Sequence, residues 1–199
     1  MTNTYLIAEP IHPRAVVIDP AWNGDFILRE AANRGWEIEQ IWLTHGHFDH
    51  FGGAAQIAND SLSRIEVALH SADLPLWEAH GGASLFGFPA FDPGPKPTIF
   101  LEDGMQLNLG NFTFEVLHTP GHSLGHVVFL LEQERLVFSG DLIFMQSVGR
   151  TDLPGGSWET LLQSIKENIL SLPDDYRLLP GHGSETTVGQ ERRSNPFLK

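Results

Sequence analysis

The sequence contains no cysteine, and that absence excludes three kinds of chemistry. The chain forms no disulfide, offers no thiolate nucleophile and builds no cysteine-ligated zinc site. Any metal ion must therefore be held by imidazole and carboxylate groups. Ten histidines are available for that purpose, together with 25 aspartate and glutamate residues.

Basic side chains are also scarce. Lysine and arginine together number 12, which leaves a formal net charge of −13. No basic run is longer than the pair Arg192 and Arg193, whereas nucleic-acid binding draws on clustered Lys and Arg at the phosphates. We therefore expect neither a nucleic acid nor an anionic membrane surface as a partner.

Long apolar runs are missing as well. The first residues carry no basic segment, and the apolar stretches near them are too short for a signal peptide or a membrane span. We therefore expect a cytoplasmic protein. A length of 199 residues suits one domain, which we expect over residues 1–199. The sequence leaves the oligomeric state open.

Short strand-like runs make up most of the chain. Residues 5–8 and 15–18 are apolar runs separated by prolines, which is typical of a hairpin. Helical spacing of apolar residues predicts helices at 25–35, 52–62 and 157–172. The other predicted strands are 38–44, 65–69, 98–101, 105–109, 112–117, 127–131, 136–139 and 177–179. This order predicts two packed mixed or antiparallel sheets with helices outside, an α+β arrangement.

One long segment, residues 81–97, has no regular pattern. It is rich in glycine and proline and carries Phe86, Phe88 and Phe91. A loop of this length in a compact domain is often functional. Two interpretations stay open, the wall of a pocket and a packed surface loop.

The densest histidine cluster is His45-Gly-His-Phe-Asp-His, directly after the predicted strand 38–44. Side chains two positions apart in an extended segment can point to the same side, so His45 and His47 can bind one metal. Asp49 and His50 can reach a second metal in a turning loop. Binding sites are common at such strand-to-helix connections. The cluster predicts one half of a two-metal site.

Three further clusters follow predicted strands and combine His or Asp with glycine. They are residues 119–126 (TPGHSLGH), 139–141 (SGD) and 180–183 (PGHG). Glycine lets the backbone bring ligands close together. A carboxylate can use its two oxygens to bridge two metals.

Together these motifs resemble the metallo-β-lactamase superfamily, through T-H-x-H-x-D-H, T-P-G-H-S-x-G-H, S-G-D and P-G-H-G. Within it the chain most resembles the short glyoxalase II-like, or hydroxyacylglutathione hydrolase-like, proteins. Residues 148–156 (VGRTDLPGG) and 195–198 (NPFL) add to that likeness. The resemblance implies an αββα sandwich of two packed mixed β-sheets with helices on the outer faces.

The resemblance also implies a set of metal ligands at the matching positions. Those for a first metal are His45, His47 and His122, and those for a second are Asp49, His50 and His182, with Asp141 bridging the two metals. Two divalent metals can share a hydroxide that attacks the substrate carbonyl. Catalytic roles fall to Asp49, which orients the nucleophile or takes its proton, and to Asp141. Ligation without sulfur permits zinc, iron or manganese, and we expect zinc first.

Three residues near the ligands receive supporting roles. His118 precedes the family's ligand position, so we expect it to be structural. His126 is not a ligand in the family pattern and is expected to support the site or fill the core. Asp19 could accept a hydrogen bond near the ligands, or it could simply form a turn before Pro20.

The substrate site is less well matched. Arg150 falls where glyoxalase II enzymes place a basic residue for glutathione, and we predict that it binds substrate. The aromatic residue that the family has two positions later is Asp152 here. We also expect no C-terminal helical domain of the kind that helps the long enzymes to bind glutathione.

The leading hypothesis is a hydrolase of small thioesters such as hydroxyacylglutathione. The first alternative is a persulfide dioxygenase with one iron at His45, His122 and Asp141, because those relatives also carry a Gly-Arg-Thr-Asp stretch. A lactonase of the same fold is the second, and a metal-binding scaffold without activity is the third. Only the shared metal pattern supports a β-lactamase.

Overall fold

The computed structural model describes residues 1–9, 11–60 and 64–199. Its chain divides into two compact units. The N-unit consists of Thr2–Leu101 and Asn108–Phe112, and the C-unit consists of Met1, Glu102–Leu107 and Thr113–Lys199. The expectation of one domain over residues 1–199 stays a prediction.

The N-unit contains a five-stranded mixed sheet. Its elements are β1 (Tyr5–Ala8), β2 (Arg14–Ile18), α1 (Gly24–Asn33), β3 (Glu37–Trp42), α2 (Phe48–Phe51), α3 (Ala54–Asp60), β4 (Glu66–His70), α4 (Leu74–Glu78) and β5 (Ile99–Leu101). The strand order is β1-β2-β3-β4-β5. β1 and β2 are antiparallel, while the other three neighbouring pairs are parallel.

The apolar runs of this sheet form the core of the N-unit. Ala15 and Val17 of β2 lie in one buried cluster with Ile41 of β3. α1 adds Ile27 and Ala31, which are four residues apart and therefore lie on one helix face. β2 and β3 are interior strands of the sheet. The histidine cluster follows the end of β3, so it begins at a strand that has a neighbour on both sides.

The second sheet has six strands and is also mixed. Its elements and those that follow are β6 (Gln106–Leu109), β7 (Phe112–His118), β8 (Val127–Leu131), β9 (Leu136–Gly140), β10 (Ile143–Phe144), β11 (Ser147–Val148), α5 (Trp158–Ser164), β12 (Arg177–Pro180), β13 (Thr186–Thr187) and α6 (Val188–Ser194). The order is β13-β12-β9-β8-β7-β6, and β10 and β11 form a separate ribbon. β9 and β12 are parallel, whereas β7, β8 and β9 are antiparallel neighbours.

Helix α5 covers part of the C-unit core and continues directly into a π-helix. Ser157 caps its first turn by accepting a hydrogen bond from the backbone of Thr160, as N-cap serines do. From Ile165 to Ile169 the chain forms a π-helix. Leu161, Ile165 and Ile169 are all buried in the same cluster, so the apolar spacing over 157–172 identified the buried face correctly.

Most predicted elements are confirmed, with ends that differ by a few residues. The predicted helix 52–62 begins at Ala54, and its expected end at Leu62 lies outside the described residues, as does Pro10 between the first two strands. The sequence pattern does not predict α2, α4, α6, β10, β11 or β13. These elements are short, so apolar periodicity has little room to develop in them.

No helix in the described parts of the chain is long and apolar enough to cross a lipid bilayer.

The segment that follows α4 begins with a 3-10 stretch, His80–Phe86. Gly81 in this stretch has a φ of 61°, and its Cα lies so close to the backbone of Phe48 that a Cβ atom would overlap it. The loop is therefore attached directly to helix α2.

That attachment yields a stability prediction. Gly81→Ala should destabilise the protein by about 2–4 kcal/mol, because left-handed strain adds to overlap with the Phe48 backbone. Gly87→Ala is a matched control, since Gly87 has a similar φ of 74° but open space around its Cα. Urea unfolding of both variants measures the difference, and equal losses would contradict the close contact.

Candidate metal centre

Four predicted ligands come together in the N-unit at the connection between β3 and α2. The ring centroids of His45 and His47 are 4.8 Å apart, and those of His45 and His50 are 4.1 Å apart. Asp49 Oδ2 lies 3.8 Å from His50 Nε2. The three imidazoles are buried and Asp49 is partly exposed. One turn of helix after an extended segment is what brings these four side chains together.

Asp19 fixes the orientation of two of these rings. Its Oδ1 accepts the Thr44 backbone N–H at 2.8 Å, and its Oδ2 accepts the Thr44 hydroxyl at 2.7 Å. His50 Nδ1 lies 2.9 Å from the same Oδ2, and His45 Nδ1 lies 3.0 Å from the Thr44 hydroxyl oxygen. A carboxylate only accepts hydrogen bonds, so His50 carries its proton on Nδ1 and presents a lone pair on Nε2.

His45 has the same tautomer as His50. Because the Thr44 hydroxyl donates its proton to Asp19, its oxygen accepts from Nδ1 of His45, which again leaves Nε2 as the lone-pair nitrogen. Asp19 therefore lies beside the ligands, as one of the two interpretations of this residue predicts. Its φ of 50° is left-handed, a conformation that Asp tolerates better than most residues.

Three predicted ligands come together in the C-unit around Asp141. Its Oδ2 lies 3.6 Å from His122 Nε2 and 3.3 Å from His182 Nε2. Asp141 follows the end of β9, and His182 follows the end of β12, which pairs with β9 in parallel. Neighbouring parallel strands end at the same edge of a sheet, and this places Asp141 and His182 side by side.

Backbone carbonyls orient the two C-unit imidazoles. His122 Nδ1 donates to the carbonyl of Arg150 at 2.8 Å, and His182 Nδ1 donates to the carbonyl of Met1 at 3.0 Å. A carbonyl oxygen cannot donate, so both rings carry the proton on Nδ1. In both units, an oxygen partner at Nδ1 leaves Nε2 as the nitrogen that faces the predicted metal position, the arrangement common among histidines that bind metals.

His126 and His118 lie close to the predicted ligands in sequence, but their side chains form hydrogen bonds with backbone groups. His126 is fully buried, accepts the Asp141 backbone N–H on Nε2 at 3.0 Å and contacts the Thr119 hydroxyl through Nδ1 at 2.9 Å. Its two ring nitrogens thus connect the backbone of Asp141 to Thr119. His118 Nε2 contacts the Leu124 carbonyl at 3.0 Å, which agrees with the structural role expected for it.

The donor set fits divalent metal ions. It offers only nitrogen and carboxylate oxygen, and the imidazoles of His45, His50 and His122 are at most 3% exposed. Such ligands suit zinc, iron or manganese. These rings present Nε2 beside a carboxylate in a site that water reaches poorly. A carboxylate taken out of water is costly, and a positive charge nearby offsets that cost.

Arg150 lies at the surface and is held by its neighbour. Its guanidinium donates from Nε to Asp152 Oδ1 at 2.7 Å and from Nη2 to Oδ2 at 2.8 Å. The hydrogen bonds from Arg150 lower the pKa of Asp152 to about 2. The side chain that we predict to bind substrate is therefore paired with Asp152, at the position where the family has an aromatic residue.

Two hydrogen bonds near the predicted ligands could not be predicted from the sequence. Thr2 donates its hydroxyl hydrogen to Asp49 Oδ2 at 2.9 Å, and Met1 supplies the carbonyl that holds His182. Both join residues far apart in the chain, and neither has a motif. Thr44 had a visible signal, since it precedes the first histidine of the cluster.

Asp19→Asn tests the role of the oxygen partners. Asn tolerates the left-handed backbone of this position, but its NH₂ group only donates. In either orientation of the amide it would face a donor, either the Thr44 N–H or the pair formed by the Thr44 hydroxyl and His50 Nδ1. We expect a 10- to 100-fold lower metal affinity, about the effect of losing such a partner. Competition with a zinc chelator measures it, with exposed Asp175→Asn as control. Unchanged affinity in Asp19→Asn would refute the role.

Comparisons with known proteins identify the family of this chain. The model of the metallo-beta-lactamase superfamily matches residues 1–182. The chain therefore belongs to the metallo-β-lactamase superfamily, a superfamily of metallo-hydrolases.

Individual relatives are similar over almost the whole chain. Hydroxyacylglutathione hydrolase GloC of Haemophilus influenzae is 39% identical over 185 residues, which cover 92% of this chain and 87% of the relative. The structure of BLEG-1 B3 metallo-beta-lactamase has a TM-score of 0.91 and 37% identity. The superposition covers 100% of this chain and 94% of the BLEG-1 chain. The structure of TTHA1623 in a di-iron-bound form has a TM-score of 0.89 and 44% identity, with coverages of 99% and 95%. The predicted fold class, α+β of the αββα type, is confirmed by these likenesses.

Proposed function

We propose that this protein is a binuclear metal-dependent hydrolase of small thioesters, with hydroxyacylglutathione as the model substrate. The observation that carries the proposal is the position of Asp141. Its Oδ2 is within 3.6 Å of His122 Nε2 and 3.3 Å of His182 Nε2. A carboxylate between two ligating nitrogens suits a bridging ligand of two metals. The likeness to GloC supports the substrate class.

The proposed ligand assignment follows the family pattern. It gives the first metal His45, His47 and His122, the second metal Asp49, His50 and His182, and both metals Asp141. When bound, such a pair of divalent ions supplies a hydroxide at neutral pH and polarises the substrate carbonyl. Zinc is proposed first, and the di-iron form of TTHA1623 supports iron as the alternative to test beside manganese.

The chain's own residues supply orientation and proton handling. The Thr2 hydroxyl fixes Asp49 through Oδ2, so the carboxylate is held in one position, where it can orient the nucleophile or take its proton. His126 fixes Asp141 through its backbone. A thiolate leaves readily, so the reaction needs no strong general acid. The cytoplasmic location and the absence of a nucleic-acid partner stay predictions.

Elemental analysis combined with hydrolysis of S-lactoylglutathione tests the proposal. We expect about two metals per chain and measurable turnover. Asp141→Asn should abolish turnover while the far-ultraviolet circular dichroism stays unchanged, because a neutral amide is a poor bridge between two cations. Retained activity in this variant would rule out the bridging role.

Other products would point to other functions. One iron per chain, with sulfite formed from glutathione persulfide under oxygen, would replace the hydrolase by a dioxygenase. Hydrolysis of nitrocefin without thioester hydrolysis would favour the activity named for the relative BLEG-1. A metal-replete preparation that leaves thioesters, lactones and β-lactams intact would favour a scaffold.

Arg150 and Asp152 should affect the binding of anionic thioesters in opposite directions. Arg150→Ala should raise KM for S-lactoylglutathione about two- to fivefold, the effect of an exposed ion pair. Asp152→Ala should lower KM, because the guanidinium fork then turns to a substrate carboxylate.

An uncharged thioester such as S-acetyl-N-acetylcysteamine serves as the control substrate. Its KM should not change in either variant, because it has no carboxylate for Arg150 to bind. If both variants shift KM in the same direction, or if the control substrate shifts equally, Arg150 does not recognise the anionic part of the substrate.

A further inference from the structure

We propose that a wall of four aromatic side chains in the N-unit binds the acyl group of the thioester, and that the preferred substrates carry an aromatic acyl group. The aromatic wall consists of Trp22, Phe48, Phe86 and Phe88. This inference rests on the proposed thioester hydrolase function and names the acyl class that the enzyme would select.

Phe48 is the centre of the aromatic wall. Its ring centroid lies 5.5 Å from that of Phe86, 5.2 Å from that of Phe88 and 6.4 Å from that of Trp22. The three ring pairs are tilted at 44°, 38° and 59°. These separations lie in the range in which aromatic rings attract one another, so the four rings form one continuous surface.

The outer rings of this surface remain largely open to solvent. Trp22 is 42% exposed, Phe86 is 43% exposed and Phe88 is 52% exposed, while Phe48 is half-buried. A loop that served only to pack on the surface would bury these rings. A contiguous exposed apolar patch of this kind usually marks a binding site.

Contacts behind the wall hold it in place. Phe91 packs edge-on against Trp22 and beside Phe51, with centroid separations of 5.4 Å in both pairs. His80 Nδ1 donates to the Phe91 carbonyl at 3.0 Å. The backbone of Gly81 lies directly against that of Phe48. The segment over residues 81–97 is thus tied to the ligand-bearing helix at two points, which keeps a binding surface pre-formed.

The position and charge of the wall identify its occupant. Phe48 stands between two predicted ligands, His47 and Asp49, so its backbone is part of the segment that carries the predicted metal ligands. None of its four side chains is charged, and the nearby Lys96 is paired with Glu78 at 2.9 Å. The anionic half of a thioester needs a cationic partner, which this wall does not provide. The acyl half is the part that a neutral surface of stacked rings suits, and an aromatic acyl group can stack on it.

Comparison of two thioesters that share one thiol tests the aromatic wall. The ratio of kcat/KM for S-phenylacetylglutathione to that for S-lactoylglutathione should exceed one. It should fall about three- to tenfold in Phe88→Ala and in Phe86→Ala, the loss of one aromatic contact, mainly through a higher KM. Phe100→Ala is the matched control, since Phe100 in β5 is 46% exposed and has no place in the wall. A ratio that does not change in Phe88→Ala and Phe86→Ala, or that falls equally in Phe100→Ala, would overturn the inference.

Binding of S-benzylglutathione separates this inference from the proposed function, because a thioether cannot be hydrolysed. Its Kd by calorimetry should rise about three- to tenfold in Phe88→Ala and stay constant in Phe100→Ala. If that result came without hydrolysis of any thioester, the wall would stand and the hydrolase proposal would fail. If thioesters were hydrolysed but neither Kd nor the substrate ratio responded to Phe88→Ala, the wall would fail and the hydrolase would stand.

Discussion

A histidine can bind a metal through Nε2 only while Nε2 carries a lone pair, and in a buried site that depends on what accepts the proton on Nδ1. Four of the predicted ligands have such an acceptor: the Thr44 hydroxyl for His45, Asp19 for His50, and the carbonyls of Arg150 and Met1 for His122 and His182. Every acceptor is an oxygen held by the fold. The proposed metal chemistry would therefore depend on these hydrogen bonds as much as on the predicted ligands.

The strand ends explain why the acceptors are in place. Thr44 follows β3 and its backbone is bound to Asp19, which follows the neighbouring strand β2. In the C-unit, Gly121 has a φ of 131° and lies against the backbone of Leu161, so that His122 starts from a turn that a larger residue could not form. Buried strands thus provide rigid ends, and tight turns after them aim the side chains.

The sequence predicts those parts of the site that depend on local pattern. The ligand run after β3 is visible because His45, His47, Asp49 and His50 occupy six consecutive positions, and strand ends are recognisable from apolar runs. The short elements α4 and α6 escape the same reasoning, since a helix of five or seven residues shows too little periodicity.

Contacts between distant positions could not be predicted from one sequence. Thr2 reaches Asp49 across 47 positions, and Met1 reaches His182 across 181. The phenylalanines of residues 81–97 suggested two interpretations. A pocket wall is favoured over a packed loop by the contact of Phe88 with Phe48 together with the exposure of Phe86 and Phe88. Arg150 and Asp152, by contrast, are only two residues apart, so the sequence could have suggested their pairing.

Anomalous X-ray diffraction at the zinc edge, on crystals of the zinc-loaded protein, would show whether the oxygen-held imidazoles bind two metals through Nε2. We expect two zinc ions per chain, bonded to Nε2 of His45, His50, His122 and His182, with Asp141 bonded to both. A single ion, or coordination through Nδ1 of any of these four histidines, would contradict this expectation.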